Sequence, residues 1–350
     1  MSTKTYLERV LAHSPSPDFG NLQKVLKHMR PNRATLFEFF LNYPLYQRLS
    51  GVTVKPGVER TDVQCLIGAF RQAGYDYVTY RPPEFAFPRG ERPREKTVSI
   101  NEGGVIADWA SFEKCPWKDP DTCNYSQLKW IQELLPDGMK VVVCGPGGVL
   151  ENVIALVGYE RLCFMLADDP GLAHAVFDAV GSRLVRHYEI AGGFESVGAC
   201  ISNDDWGFKT QPMLAPQAMR EYVFPWHVKI VQAIHHHGKP AILHSCGNAA
   251  EIMQDITDAM EYDGKHSFED AIEPVEDAYR KYGRRIALLG GIDVDFVCRA
   301  SPDEVYRRSK AMLDLTAAAG SYALGTGNSV PEYVPTGSYC AMIWAALEAR

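Results

Sequence analysis

The sequence predicts an α/β protein, a single (β/α)8 TIM barrel, and three observations lead there. Short apolar runs recur eight times along the chain, with helical patterns between them. Several runs are apolar throughout, as strands covered on both faces are. The chain has 350 residues, 46% hydrophobic and 23% charged, which suits one large globular core. An open doubly wound sheet is the second choice.

Residues 1–30 read as an N-terminal helical extension. Their opening, "MSTKTYLERVLAHSPSPDF", lacks the uninterrupted apolar core of a signal peptide and reads as a short amphipathic helix. The expected strands then follow in order: "ATLFEF" (34–39), "YDYVTY" (75–80), "KVVVCG" (140–145), "GACISND" (198–204), "AILHS" (241–245), "YDGKHS" (262–267), "IALLGG" (286–291) and "YALGTG" (322–327). The sixth is the weakest, because Asp263, Gly264 and Lys265 interrupt it. Between strands, "SPDEVYRRSKAMLDLTAAAG" has Ser301 as N-cap, Pro302 in the first turn, Glu304 completing a capping box, and Gly320 as a stop. "APQAMREYVFPWHVKIVQAIHHHG" is a helix that Pro225 must kink or split. Residues 86–125 fit the alternation poorly and read as a β-hairpin insertion turning at Glu102-Gly103-Gly104. The whole of 1–350 is expected to be one domain.

Charge and composition exclude some functions. The net charge is −7, with no basic cluster beyond "RPNR" and "RGERPREK", so nucleic acid is not an expected partner. No apolar run is long enough to span a bilayer. Nine scattered cysteines fit reduced thiols in a cytoplasm better than a disulfide framework. Cys115 and Cys123 are spaced too widely for a metal knuckle and have no second pair. Neither G-x-S-x-G nor H-E-x-x-H occurs, which leaves serine-nucleophile and zincin chemistry unsupported.

In a barrel the chemistry sits where strands end. The residues expected there are Glu38, Arg81, Glu84, Asn203, Asp204, Asp205, Trp206, His244, Cys246, Asn248, His266, Glu269, Asp293, Thr326 and Asn328. His244 and Cys246 are i and i+2, so on a strand they face the same way, and imidazole nitrogen and thiolate sulfur are both good zinc ligands. The plain alternative is a hydrogen-bonded histidine beside a buried thiol. Asp204 and Asp205 can bind substrate, orient a ligand or hold a proton, or they can form a capping turn. His266 and Glu269 in "KHSFED" are catalytic candidates, with a solvated turn as the alternative. "GPGG" at 145–148 lacks Walker and dinucleotide spacing and reads mainly as a turn. His235-His236-His237 suits a helix C-terminus.

"LHSCGN", "IALLGGIDVDFVCRASPDEV" and "SYALGTGNSVPEYVP" together resemble the uroporphyrinogen decarboxylase superfamily, and "ATLFEFF" fits it too. The resemblance runs from about Arg30 to the C-terminus, is more specific in the second half, and implies a single (β/α)8 barrel. One branch of that superfamily decarboxylates a tetrapyrrole without metal and carries an N-terminal "RQAGRY" signature. "RQAGYDYV" at 71–78 runs from a helix into a strand and is no match for it. The other branch contains corrinoid-dependent methyltransferases, whose zinc is held by H-x-C and a later cysteine. His244 and Cys246 match H-x-C, but Asn328 stands where the cysteine belongs. The resemblance then leaves Glu269, His266 or Asp204 as a substitute ligand, or no tightly held metal.

What it implies is a methyltransferase working between a small-molecule methyl donor or acceptor, such as a methoxylated aromatic, and the cobalt of a corrinoid-binding protein. Asp204, Asp205, His266, Glu269 and Asn328 would serve catalysis, and Phe85, Phe87, Trp206 and Phe208 would wall a ring. Glu38, Arg81 and Glu84 would bind polar parts of the substrate. A homodimer is compatible with this reading. The alternative is a decarboxylase acting on a tetrapyrrole or aromatic acid.

Overall fold

The computed structural model describes residues 4–54, 59–90 and 100–350. Seven strands form one all-parallel sheet in consecutive order: β1 (Tyr77–Tyr80), β2 (Lys140–Cys144), β3 (Val197–Asn203), β4 (Ala241–His244), β5 (Gly264–His266), β6 (Ala287–Leu289) and β7 (Tyr322–Ala323). Consecutive parallel order with helical crossovers is the arrangement of a curled, TIM-barrel-like sheet. The strands are buried nearly throughout, which explains why their sequences do not alternate.

Seven of the eight expected strands are found; six are shorter than their apolar runs, β7 most of all, and β3 keeps seven residues displaced by one toward the N-terminus. The eighth, at 34–39, is reduced to a parallel bridge from Leu36 to Leu324 just beyond β7. Phe37 N–H donates to Leu324 C=O, and Leu324 N–H donates to Thr35 C=O. On its other side this segment touches β1 through side chains: Phe37 stacks on Tyr77, whose hydroxyl bonds the Glu38 backbone. The segment therefore lies between the two end strands without completing a ladder.

The helices follow their caps. Ser301 and Glu304 form the expected capping box ahead of Pro302–Thr316. The helix expected around Pro225 is split: a π turn, Met219–Val223, precedes Phe224–His236, so the interruption falls where proline removes a donor. The N-terminal extension contains two short helices, Tyr6–Ala12 and Gly20–Leu26. The hairpin expected within 86–125 falls partly on residues 91–99, outside the described residues. Among the described ones this region holds a short helix, Trp109–Glu113, and a 3-10 turn, Pro120–Thr122, but no strand. Gly90 N–H donates to Gly103 C=O at 3.2 Å, close to the expected glycine turn. All nine cysteines are free. No helix among the described residues is long and apolar enough to cross a membrane.

Candidate active site

Sheet register sets the site. Asn203 of β3 pairs with His244 of β4, which pairs with His266 of β5, so the three stand at one level at the strand ends. Just beyond, the loops after β3 and β4 run in contact. Gly207 N–H donates to Cys246 C=O, and Asn248 N–H donates to Phe208 C=O. This approach needs two glycines. A Cβ on Gly247, which has φ +90°, would lie 2.0 Å from the Gly207 oxygen, and one on Gly207 would lie 2.6 Å from Asn248 N. With the loops so close, Asp205 Oδ1 accepts from Cys246 N–H at 2.9 Å.

The result is a three-donor cluster. Ligand atoms of Asp205, His244 and Cys246 lie within 4.8 Å of one another. His244 Nε2 is 3.7 Å from Cys246 Sγ and 3.9 Å from Asp205 Oδ1. Donors on one tetrahedral zinc stand about 3.5 Å apart, given bond lengths of about 2.0–2.3 Å. Imidazole, thiolate and carboxylate, with a fourth position open, make the donor set of a catalytic zinc site, so these residues fit that ion. Burial pushes His244 well below the usual imidazole range, helped by His266 and the Lys265 charge. Burial and the Asp205 charge push the Cys246 thiol up to about 12. A dication would reverse the second shift by stabilising the thiolate.

Beside the cluster opens a cavity of about 760 Å³ at the C-terminal ends of β1 to β3. Asp205, Asn203 and Glu151 line one wall; Phe39, Phe40, Phe208, Met213, Ile100 and Ile154 supply apolar surface; Arg81 and Arg89 bring positive charge. Glu151 Oε2 accepts from Gly148 N–H and from Asn203 Nδ2. Burial, then the Asp204 and Asp205 charges, raise Glu151 well above the carboxylate range.

Several expected site residues are elsewhere. Asp204 is fully buried behind the cavity; its carboxylate accepts from Leu150 N–H, Glu151 N–H and His227 Nε2. It thus caps the helix Val149–Val157, so the "GPGG" turn presents its helix end to a protein carboxylate and not to phosphate. Glu38 is buried beneath Thr326, whose hydroxyl and amide donate to it, and burial raises it to about 8. Phe85 and Phe87 pack in the core, Phe85 stacked on His187. Trp206 is 1% exposed and lies edge-on to His227. Glu84 is on the surface and accepts from Asn124 N–H. Glu269 lines smaller neighbouring cavities on the far side of the β5 loop. Of the expected ring walls only Phe208 faces the main cavity, and of the expected polar binders only Arg81 does. Asn328 does reach the cluster, donating from Nδ2 to Cys246 Sγ at 3.2 Å. Asp204, His266 and Glu269, the substitute ligands expected for the missing cysteine, lie outside the three-donor cluster: its third member is Asp205, and His266 stands behind His244.

Glu151, Arg89, Phe39, Phe40 and Lys265 had not been singled out. Glu151 carried one signal, an acid three residues after the last glycine of "GPGG". Lys265, buried and pushed down to about 8, ties two strand ends together by donating to Ser267 C=O and Ser245 C=O.

A family model described as uroporphyrinogen decarboxylase (URO-D) matches residues 125–348, a span that holds the whole three-donor cluster. The chain belongs to the uroporphyrinogen decarboxylase family. This URO-D chain is similar in fold to a methyltransferase from Methanosarcina mazei, with TM-score 0.69 and 15% identity over 94% of this chain and 98% of the other. It is also similar to a putative vitamin-B12 independent methionine synthase from Listeria monocytogenes, with TM-score 0.52 and 11% identity over 91% and 99%. Both are likenesses of fold. No curated protein matches the URO-D chain in sequence.

Proposed function

We propose that this chain is a methyltransferase that moves a methyl group between a small methoxylated aromatic and the cobalt of a corrinoid protein, with zinc held by Asp205, His244 and Cys246. The observation that carries this reading is the three-donor cluster at the edge of an open cavity. The family and the methyltransferase of similar fold support it. Zinc bound there would supply Lewis acidity to the atom that gives up the methyl group.

The chain's own residues do the rest. Phe39, Phe40 and Phe208 offer aromatic surface to a ring. Arg81 is exposed at the end of β1 and would orient an anionic substituent. Glu151, kept protonated by burial, holds a proton for the oxygen left behind when the methyl group departs. Asn203 fixes that carboxyl in place.

The second reading is a decarboxylase, favoured by the matched family and by Arg81 and Arg89 in one cavity. A single experiment separates the two. The purified protein is analysed for metal and incubated with reduced cobalamin and a series of methoxybenzoates. The expected result is one zinc per chain and formation of methylcobalamin, both lost in His244→Ala and Cys246→Ala. Metal-free protein that transfers methyl groups at the wild-type rate would sink the zinc assignment. Release of carbon dioxide from the same acids, without methylcobalamin, would establish the second reading.

A further inference from the structure

His244 can serve a metal only if its cluster-facing nitrogen carries a lone pair, and a neutral imidazole has one such nitrogen. Which one it is depends on what the other nitrogen meets. His244 Nδ1 lies 2.7 Å from His266 Nδ1, so one of these two atoms must donate and the other accept. The far side of His266 decides between them. His266 Nε2 faces the Thr326 carbonyl oxygen at 3.3 Å, and a carbonyl can only accept.

His266 therefore carries its proton on Nε2 and offers a lone pair at Nδ1. His244 must then donate from Nδ1, which leaves Nε2 bare toward Cys246 Sγ and Asp205 Oδ1. A doubly protonated His266 would also satisfy both contacts. It would be a buried cation without an ion pair among the described residues, since the two His266 nitrogens meet His244 Nδ1 and the Thr326 carbonyl and no carboxylate. Phe37 lies 5.2 Å from the His266 ring and Phe39 lies 4.7 Å from the His244 ring, so both imidazoles are clamped and shielded from water. The carbonyl at the base of the relay is itself held. Thr326 N–H and Oγ1–H donate to the buried Glu38 carboxyl, on the segment that bridges β7.

We propose that His266 is a positioning residue, which reads the Thr326 carbonyl and locks His244 as its Nδ1–H tautomer with Nε2 open to the ion. This inference rests on the metal-assisted reading above. It goes further by giving the buried histidine of "KHSFED" a role that is neither ligation nor proton transfer to substrate. It also explains why two tilted imidazoles meet through their Nδ1 atoms, and why a buried acid holds the Thr326 end of the relay.

The test needs no activity and no metal. Metal-free wild-type protein labelled with nitrogen-15 histidine is examined by two-bond nitrogen–proton NMR, with His244→Gln and His266→Asn used for assignment. The expected pattern is His266 protonated at Nε2 and His244 protonated at Nδ1. The reverse pattern, or a rapidly averaging His244, would overturn the relay. Zinc affinity gives an independent reading by chelator competition. His266→Phe keeps a ring but removes the acceptor, and is expected to weaken zinc about 10- to 100-fold. His266→Asn places an oxygen near the lost Nδ1 and is expected to restore most of that affinity. Wild-type affinity in His266→Phe counts against the relay. The tautomers are read without metal, so reversed tautomers in a zinc-binding protein would remove the relay alone. A protein with the expected tautomers but no zinc-dependent transfer would sustain the relay and remove the methyltransferase mechanism.

Discussion

Asp204 and Asp205 are adjacent in the chain, each has a histidine partner, and they sit in opposite kinds of environment. The Asp204 group is closed. Its carboxylate takes two helix amides and His227 Nε2 at 2.8–2.9 Å, and His227 passes the chain on to Tyr262 at 2.7 Å, all out of contact with solvent. The Asp205 group is open. Its side chain is 43% exposed and lines the cavity, and His244 Nε2 stands 3.7–3.9 Å from the sulfur and oxygen it faces. Contacts of 2.7–2.9 Å that engage both carboxylate oxygens and both ring nitrogens are those of a polar network that holds a structure together. Convergent ligand atoms 3.7–3.9 Å apart, at the mouth of a cavity, are those of a site that takes something in. The two aspartates show that residue type and strand-end position do not separate the cases. Saturation of the hydrogen bonds does.

The largest effect that would break this comparison is at Asp205. Asp205→Ala should weaken zinc about 1000-fold, about 4 kcal/mol, by removing one of three protein ligands. Its effect on folding should stay at about 1 kcal/mol, the net worth of the hydrogen bond it accepts from Cys246 N–H. Calorimetric zinc titration paired with urea unfolding measures both, and a large stability loss with unchanged zinc affinity would make Asp205 the structural partner. Asp204→Ala should do the converse. It strips His227 and two helix amides of their acceptor and should destabilise the fold by about 3 kcal/mol, with the zinc content of the folded protein unchanged. Urea unfolding and metal analysis of the same preparation check this, and loss of zinc without loss of stability would merge the two groups.

The smallest effect extends the comparison to a third buried acid. Glu38 rises from an ordinary 4.5 to about 8 because burial outweighs its bonds from Thr326. The folded protein therefore keeps a proton there that the unfolded chain releases. The stabilisation is fully present below about pH 4.5 and is lost as pH climbs through about 8, with a slope of up to about 1.4 kcal/mol per pH unit. Glu38→Gln keeps the shape and cannot titrate. Its unfolding free energy should fall less steeply between about pH 5 and 8 than that of the wild type. Parallel curves would show that Glu38 is already ionised in the folded protein.

Much of the fold was legible in the chain because buried parallel strands leave a plain mark. Runs such as "KVVVC" and "AILH" have no polar side to hide, and seven of them pair where expected. The 34–39 run was legible as a strand but not as a mere bridge, because its contacts are made with chain ends about 40 and 290 residues away. The His244–Cys246 pair was legible from i, i+2 spacing. The third donor was not. Nothing in "NDDWG" says which aspartate turns inward to cap a helix and which turns toward the β4 loop. The aromatic surface was legible only in part for a similar reason: Phe85, Phe87 and Trp206 follow strand ends and pack in the core, while Phe208 and the equally large Phe39 and Phe40 line the cavity, a division that tertiary contacts set and residue type does not.

The sequence by itself determined where seven strands fall along the chain, the capping box ahead of Pro302–Thr316 and the pairing of an imidazole with a thiol at the end of β4. These depend on neighbours within a few residues, where backbone geometry fixes what faces what. Only the tertiary structure decided that Asp205 and not Asp204 joins them, and that His266 stands behind His244. Those choices depend on the lateral register of β3, β4 and β5 and on two glycines that let distant loops touch, and such contacts exist only once the sheet has formed.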